Sequence, residues 1–463
     1  MKLKILFIDL NEGKKVGEPN FGILNISHHL KEHMDFVNIS FEDSVNSFLK
    51  KDHNSFDVIC FSVRSLKLKR LYNNDDFIKK LSSINCLKII GGPASTVNPQ
   101  NTLLYFDISV IGEGENTLLE IFKSIRKQKL KKEETVKFLN SNEIHSINNI
   151  YYKKQNSEVV KNKTDLKNNT DIIIRQTIDW SLIDIEEYSK NWPYLDYKNK
   201  KRGISLISSR SCPFNCSFCQ PTVKKIFGKK VKYKEVDDII SDIVFLNKNH
   251  SINSFMLHDD VFTLDKKRVI RFSKKLIGLK KKGLSFNWIC NARIDQIDEQ
   301  MLGYLESSGC SEIRFGIETL DENIRNTLLN KNISDKKIKK TLKLMKDSKI
   351  ISFGFFLVGL PNRTFIESLR EVISISKTDL GLASFSILTP LPGTHIGNKY
   401  EVKSFESYYH SNRNNLSRMS LLQLEMLKVI ANLVFYFNPK RLKRTLKQIL
   451  DIKTLLYKLK RLI

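Results

Sequence analysis

Short apolar runs alternating with helix-spaced segments constrain this chain more than any other feature, and they occur in two separate stretches. In the first stretch, "LKILFID", "FDVICFSV", "LKIIGG" and "DISVIGEGE" have strand length, and "FGILNISHHLKEH", "DDFIKKLSSI" and "ENTLLEIFKSIRK" have helical apolar spacing. Such alternation demands a parallel sheet with helices on both faces, a doubly wound, Rossmann-like domain over residues 1–125. Glycines follow the strand ends at Gly91-Gly92 and at Gly112-Glu113-Gly114-Glu115, the edge where open α/β sheets bind ligands. Residues 126–200 are polar and charged. They read as an ordered linker, with a hairpin-like "INNIYYKKQNSEVVKN" and a possible short helix or clamp in "IDWSLIDIEEY". From 201 to 396 the alternation resumes through "GISLISS", "SFMLHD", "SFNWICN", "EIRFGIE", "ISFGFFLVG" and "ASFSILTP". Helical patterns fall near 235–249, 265–282, 298–308, 334–349 and 364–377. Six such repeats predict a partial (β/α)6 barrel. Residues 397–463 read as a helical C-terminal region.

A chain of 463 residues that is 41% hydrophobic has apolar material for two or three domains. No apolar run is long enough to span a bilayer. The opening "MKLKILFIDLNEG" contains Asp9 and lacks a cleavage-site pattern, so it reads as a strand and not a signal peptide, and a cytoplasmic location is expected. The net charge of +27 arises from 77 basic and 50 acidic side chains. Lys, Asn and Ile are abundant throughout, which points to compositional bias and away from a nucleic-acid surface. Basic residues concentrate only in 440–463, with nine Lys or Arg against one Asp. There Leu442, Leu446, Ile449, Ile452, Leu456, Leu459 and Ile463 recur at helical spacing. A basic amphipathic helix of this kind either packs on the protein or touches an anionic membrane peripherally.

Seven cysteines are present, and three cluster in "SRSCPFNCSFCQ" as Cys212-x-x-x-Cys216-x-x-Cys219. An odd count without wider clustering argues against a secreted disulfide framework and favours metal or catalysis. Thiolates suit zinc and iron–sulfur clusters. A closed structural zinc site needs four ligands, and no fourth Cys or His stands at finger-like spacing. Three thiolates on a four-iron cubane leave one iron open to an exogenous ligand.

This triplet, with Phe218 before its third cysteine, resembles the radical S-adenosylmethionine (SAM) enzymes. The barrel segments "HDDVF" (Asp259, Asp260), "NARID" (Arg293), "FGIE" (Glu318), "VGLP" (Gly359) and "TPLPGT" are similar to that family's strand ends. The resemblance implies that Cys212, Cys216 and Cys219 ligate a 4Fe-4S cluster whose open iron is chelated by SAM. It also implies that Asp260, or its neighbour Asp259, meets the methionyl ammonium and that Arg293 pairs with the carboxylate. Glu318 would take the ribose hydroxyls, and Gly359 would let backbone approach the adenine. A helix cap for the Asp pair and an ion pair for Glu318 are the structural alternatives.

"DVICFSVRS", "LKIIGGPASTVNP" and "DISVIGEGE" resemble the cobalamin-binding domain that precedes the barrel in one large subgroup of these enzymes. Ser62, Gly91, Gly92, Thr96, Gly112, Glu113, Gly114 and Glu115 match its cofactor-facing loops. The subgroup's Asp-x-His-x-x-Gly motif is absent, and Asn11 stands where such a His would sit. His28, His29 and His33 fall on a helical pattern and read as surface or packing residues. A doubly wound domain kept for architecture alone remains the alternative.

The expected activity is cobalamin-dependent methylation of an unactivated carbon of a small molecule, with a flavodoxin or ferredoxin as electron donor. Cyclisation, oxidation or another rearrangement without methyl transfer is the first alternative. A tRNA methylthiotransferase ranks lower: the first domain holds only Cys60 and Cys86, and the tail reads helical. A non-catalytic, metal-stabilised binding module is the remaining alternative.

Overall fold

The computed structural model describes residues 2–10, 17–64, 67–154, 156–165, 178–190, 192, 202–219, 222–391, 393–401 and 415–442. They form two compact units. The first comprises Met1–Asn191, Ser209–Pro213 and Pro221–Phe245; the second comprises Trp192–Ser208, Phe214–Gln220 and Leu246–Ile463.

The first unit is built on a seven-stranded sheet in the order β2-β1-β3-β4-β5-β6-β7. Its strands are β1 (Leu3–Asp9), β2 (Val37–Glu42), β3 (Val58–Ser62), β4 (Leu87–Gly91), β5 (Ile108–Val110), β6 (Ile150–Lys153) and β7 (Val159–Lys161). β1 to β5 run parallel, and β6 and β7 are antiparallel additions. Successive strand residues face opposite sides. Ile5, Phe7, Val58, Cys60 and Ile89 therefore enter one core, and Leu6, Ile8, Ile59, Phe61 and Ile90 enter the other. Burial on both faces explains why these strands are continuous apolar runs. The order 2-1-3-4-5 is that of a doubly wound sheet with its crevice between β1 and β3.

Within the stretch read as linker, Ile150–Lys153 and Val159–Lys161 join this sheet as β6 and β7. Phe138, Ile144, Ile147, Ile150 and Tyr152 are buried in the first core, and the predicted hairpin extends the sheet edge as β6 and β7. A polar composition hid this, because only alternate residues of β6 face inward. In "IDWSLIDIEEY", Trp180 is buried and its Nε1 donates to Asp242 Oδ1 at 3.0 Å. A short helix follows at Ile185–Lys190.

The second unit carries six parallel strands in consecutive order: β8 (Gly203–Leu206), β9 (Ser254–Leu257), β10 (Asn287–Ala292), β11 (Cys310–Glu318), β12 (Ile351–Val358) and β13 (Leu382–Ile387). This is the expected (β/α)6 arrangement. Helices Lys266–Lys281, Glu299–Ser307, Asp335–Lys346 and Phe365–Ser376 separate the later strands. Each starts on a side-chain cap: Asp265, Asp298, Ser334 and Thr364 accept from backbone N–H groups of the first turn. Every connection thus begins at the C-terminal edge of a strand, which gathers the predicted barrel residues along one edge. The C-terminal region contributes helix Leu421–Tyr436. The basic amphipathic pattern beyond Leu442 lies outside the described residues, as does Asn11. Among the described residues, no helix is long and apolar enough to cross a membrane.

Candidate functional site

Along the barrel edge, the strand-end residues hold the cysteine loop. Asp259 follows β9 and is buried; its carboxylate accepts from Ser208 N at 2.6 Å and Ser208 Oγ at 2.5 Å. Ser208 O in turn accepts from Arg268 Nη2 at 2.8 Å, and Asn291 Nδ2 donates to Asp259 O at 3.0 Å. Asp259 therefore fixes the chain four residues before the triplet. Asp260 is solvent-exposed. Desolvation by the protein around it, joined by the charge of Asp259, raises its carboxyl above the ordinary range. Of the pair, Asp260 is the one open to a ligand.

Arg293 follows β10 and is buried. It forms a fork with Asp295 at 3.1 Å through Nε and Nη2, and Nη2 also donates to Lys331 O at 2.8 Å. Its guanidinium lies 3.8 Å from the ring centroid of Phe214, inside the triplet, so Arg293 braces the loop by cation–π stacking. Glu318 ends β11 with φ of +69°, a left-handed backbone uncommon for a non-glycine residue, at a register shift in the β11–β12 ladder. Its carboxylate meets Lys331 Nζ at 3.0 Å, and that ammonium also donates to Gly316 O at 2.6 Å. A Cβ at Gly316 would lie 2.5 Å from Glu318 Oε1 and 2.9 Å from Lys331 Nζ, so a larger residue there would displace the ends of both side chains. The ion-pair alternative for Glu318 is thus what the structure contains. Gly359, directly after β12, has φ of +75°. In "TPLPGT", Thr394 caps the short helix His395–Lys399.

The rest of the loop is pinned from the segments after β11 and β13. Ser217 N donates to Leu329 O at 3.0 Å, Ser217 O accepts from Ile396 N at 3.0 Å, and Asn330 Nδ2 donates to Asn215 O at 2.9 Å. Phe218 packs against Leu329, Leu360, Leu388 and Ile396, with Lys331 Nζ 5.8 Å from its ring centroid. Cys212 and Cys216 are partly exposed, Cys219 is exposed, and none of the three is in a disulfide. Among the described residues, no three His, Cys, Asp or Glu side chains gather closely enough to hold a metal. The fit to an iron–sulfur cluster is one of donor chemistry and spacing: three soft thiols within eight residues of chain.

Sequence reasoning missed Lys331, Phe214, Ser217 and Asn330. The one available signal was "NKN": Asn330 and Asn332 both take φ near +50° (51° and 52°), and Asn tolerates that region. Lys331 therefore sits between two left-handed asparagines.

The first unit has its own strand-end site. Ser62, Gly91, Gly92 and Gly114 keep partial exposure, whereas Thr96, Gly112, Glu113 and Glu115 are buried. Gly92 has φ of +90° and precedes the short helix Pro93–Val97. Thr96 Oγ1 donates to Gly92 O at 3.2 Å and accepts from Gly112 N at 3.0 Å, so it ties the two glycine loops together. Ser62 Oγ accepts from Asn20 Nδ2 at 3.0 Å. Glu113 meets Arg210 Nη1 at 2.6 Å and Lys232 Nζ at 2.6 Å; Glu115 meets Arg210 Nη2 at 2.9 Å. Both acidic side chains expected to face a cofactor are occupied by these cations. The helical histidines behave as expected: His29 is buried in the packing, where burial lowers its imidazole below the usual range, and His28 pairs with Glu32 at the surface.

The sequence model of the radical SAM superfamily matches residues 206–373. An uncharacterized methyltransferase of Pyrococcus horikoshii is 26% identical over 82% of this chain and 77% of its own. An anaerobic magnesium-protoporphyrin IX monomethyl ester cyclase of Rubrivivax gelatinosus is 27% identical over 66% of this chain; the match spans about half of the cyclase, 51%. Among solved structures, the radical SAM methyltransferase TsrM from Kitasatospora setae, with cobalamin and a [4Fe-4S] cluster bound, aligns with a TM-score of 0.66 at 14% identity, covering 86% of this chain and 78% of that one. The cobalamin-dependent SAM radical enzyme OxsB, with aqua-cobalamin and SAM bound, aligns with a TM-score of 0.70 at 15% identity, covering 98% and 72%. The matched segment shows that residues 206–373 carry a radical SAM domain, and the chain shares the fold of the cobalamin-dependent radical SAM enzymes TsrM and OxsB.

Proposed function

We propose that the protein is a cobalamin-dependent radical SAM methyltransferase acting on an unactivated carbon of a small molecule. The observation that carries this reading is a braced three-cysteine loop at one strand edge in a chain that also holds a 2-1-3-4-5 sheet with open glycine loops at its own edge. Cys212, Cys216 and Cys219 hold a 4Fe-4S cluster. Asp260 takes the methionyl ammonium of SAM, a role that suits the exposed member of the acidic pair. Gly359 is buried, with Leu424 and Ile387 filling the place a side chain would take, and is not assigned to the adenine. Arg293, Glu318 and Asp259 support the site through Phe214, Lys331 and Ser208. Ser62, Gly91 and Gly92 offer small, partly exposed surface to a corrin, and Thr96 fixes the loops beside it. When bound, the cluster and SAM supply a 5′-deoxyadenosyl radical and cobalamin supplies the methyl group. A flavodoxin or ferredoxin delivers the electron. The chain lacks the Asp-x-His-x-x-Gly motif, so no histidine of that motif would serve as a ligand to a bound cobalamin.

The similarity to the cyclase supports a second reading, in which the same loop serves a cyclisation without methyl transfer. Anaerobic reconstitution with iron, sulfide and hydroxocobalamin, followed by turnover with methyl-labelled SAM, separates the two. The methyltransferase reading predicts about four iron per chain, cobalamin absorbance, 5′-deoxyadenosine, and label in cobalamin. Cluster and 5′-deoxyadenosine without cobalamin uptake would remove methyl transfer; stoichiometric zinc without iron would remove the radical reading altogether.

A further inference from the structure

Arg210 and Lys232 are paired residues on two short antiparallel strands, Ser209–Arg210 and Lys232–Tyr233. Together with Glu113 and Glu115 they form a four-charge cluster within the first unit. Each charged side chain in it is at most 11% exposed. The Arg210 guanidinium also lies 5.5 Å from the Phe227 ring centroid. Buried charges of this kind are stable only when each has a partner, so the cluster closes as a unit. Arg210 stands two residues before Cys212, and between them Ser211 has φ of +76°. Ser211 is buried and its Oγ donates to Gly228 O at 2.5 Å. A non-glycine residue is held in that region only when its surroundings over-determine it, and such strain collects where a side chain must be aimed.

We propose that Arg210 is a positioning residue for Cys212: its fork on Glu113 and Glu115 holds the arm Ser209–Pro213 so that the left-handed Ser211 aims the thiol. This rests on the cluster-ligand role of Cys212 proposed above. It gives the acidic pair at the end of β5 a task other than contact with a cofactor. Arg210 receives two carboxylates through a planar fork, which a lysine cannot reproduce.

The test uses the full chain, reconstituted anaerobically with iron and sulfide. Arg210→Met alone leaves two buried carboxylates short of a partner and is expected to unfold more easily. A second variant therefore neutralises the whole cluster (Glu113→Gln, Glu115→Gln, Arg210→Met, Lys232→Met), a change that buried ion clusters tolerate. Iron and sulfide per chain, the electron paramagnetic resonance spectrum of the reduced cluster, and the thermal midpoint are read on wild type, the neutral variant and Arg210→Lys. The neutral variant should melt near wild type yet retain about fivefold less cluster, with altered g-values, as expected once the strained arm relaxes. Arg210→Lys should recover part of the yield. Wild-type cluster yield and spectrum in the neutral variant would overturn the proposal while leaving the radical reading intact. A wild-type protein that takes up no iron would overturn both.

Discussion

The two strand edges of this molecule close themselves in different ways. At the edge of the first sheet, the loops are tied to one another: Thr96 bridges Gly92 and Gly112, and Glu113 and Glu115 are sealed by Arg210 and Lys232. Backbone at Gly91 and Gly92 is what stays accessible. At the barrel edge, the strand-end side chains reach outward to a single loop: Asp259 to Ser208, Arg293 to Phe214, and Lys331, held by Glu318, to Phe218. A surface of small residues suits a large flat ligand that needs room. A loop gripped at many points suits ligands that must be presented at fixed positions. The same kind of sheet edge is thus closed in two ways, according to whether its polar groups are spent on the loops or on one bound segment.

The sharpest way to break this contrast is to remove the loop's purpose. Cys212→Ala, Cys216→Ala and Cys219→Ala should each lower iron from about four per chain to a residual level and abolish reductive SAM cleavage. Iron analysis and product chromatography read the result, and a variant that keeps its cluster would free that cysteine from the ligand set.

Next in size is the brace itself. Glu318→Ala leaves Lys331 buried without its carboxylate, which should cost about 3–5 kcal/mol in denaturant unfolding. The double variant Glu318→Gln, Lys331→Met should recover most of that stability. If the single variant unfolds like wild type, the pair is not holding the edge.

On the other sheet, Gly92→Val places a branched side chain at φ of +90°, with its Cβ 3.3 Å from Ser62 Oγ. A stability loss of about 1–3 kcal/mol is expected. Cobalamin uptake, followed by absorbance, should fall while iron content stays at the wild-type level. Loss of both cofactors together would show that the two edges do not act separately.

The smallest effect concerns Asp260 and pH. Its folded-state pKa is raised by desolvation and then by Asp259, so the fold favours its protonated form. That preference is fully present below the ordinary carboxyl pKa and is lost as pH rises through the raised value. Asp260→Asn should therefore leave stability unchanged in strong acid and raise it modestly at neutral pH. A wild-type-like pH profile across that window would remove the tension that marks Asp260 as a ligand-facing group.

The class of the fold and the order of its elements follow from local patterns in the chain. Runs such as "KILFID" and "DVICFS" are apolar on both faces, and only a sheet covered on both sides buries them. Asp265, Asp298, Ser334 and Thr364 mark where the barrel helices begin, through local hydrogen bonds that need no distant partner. The cysteine spacing is equally local. Tertiary structure decided which side chain meets which. Asp259 and Asp260 are neighbours of identical chemistry, yet one is buried on Ser208, 51 residues away, and the other is exposed. Glu113 and Glu115 look like an open acidic loop until Arg210, about a hundred positions later, closes on them. Lys331 has no motif to announce it. Pairings of this kind depend on loop closure over long sequence separations, and no local periodicity records them.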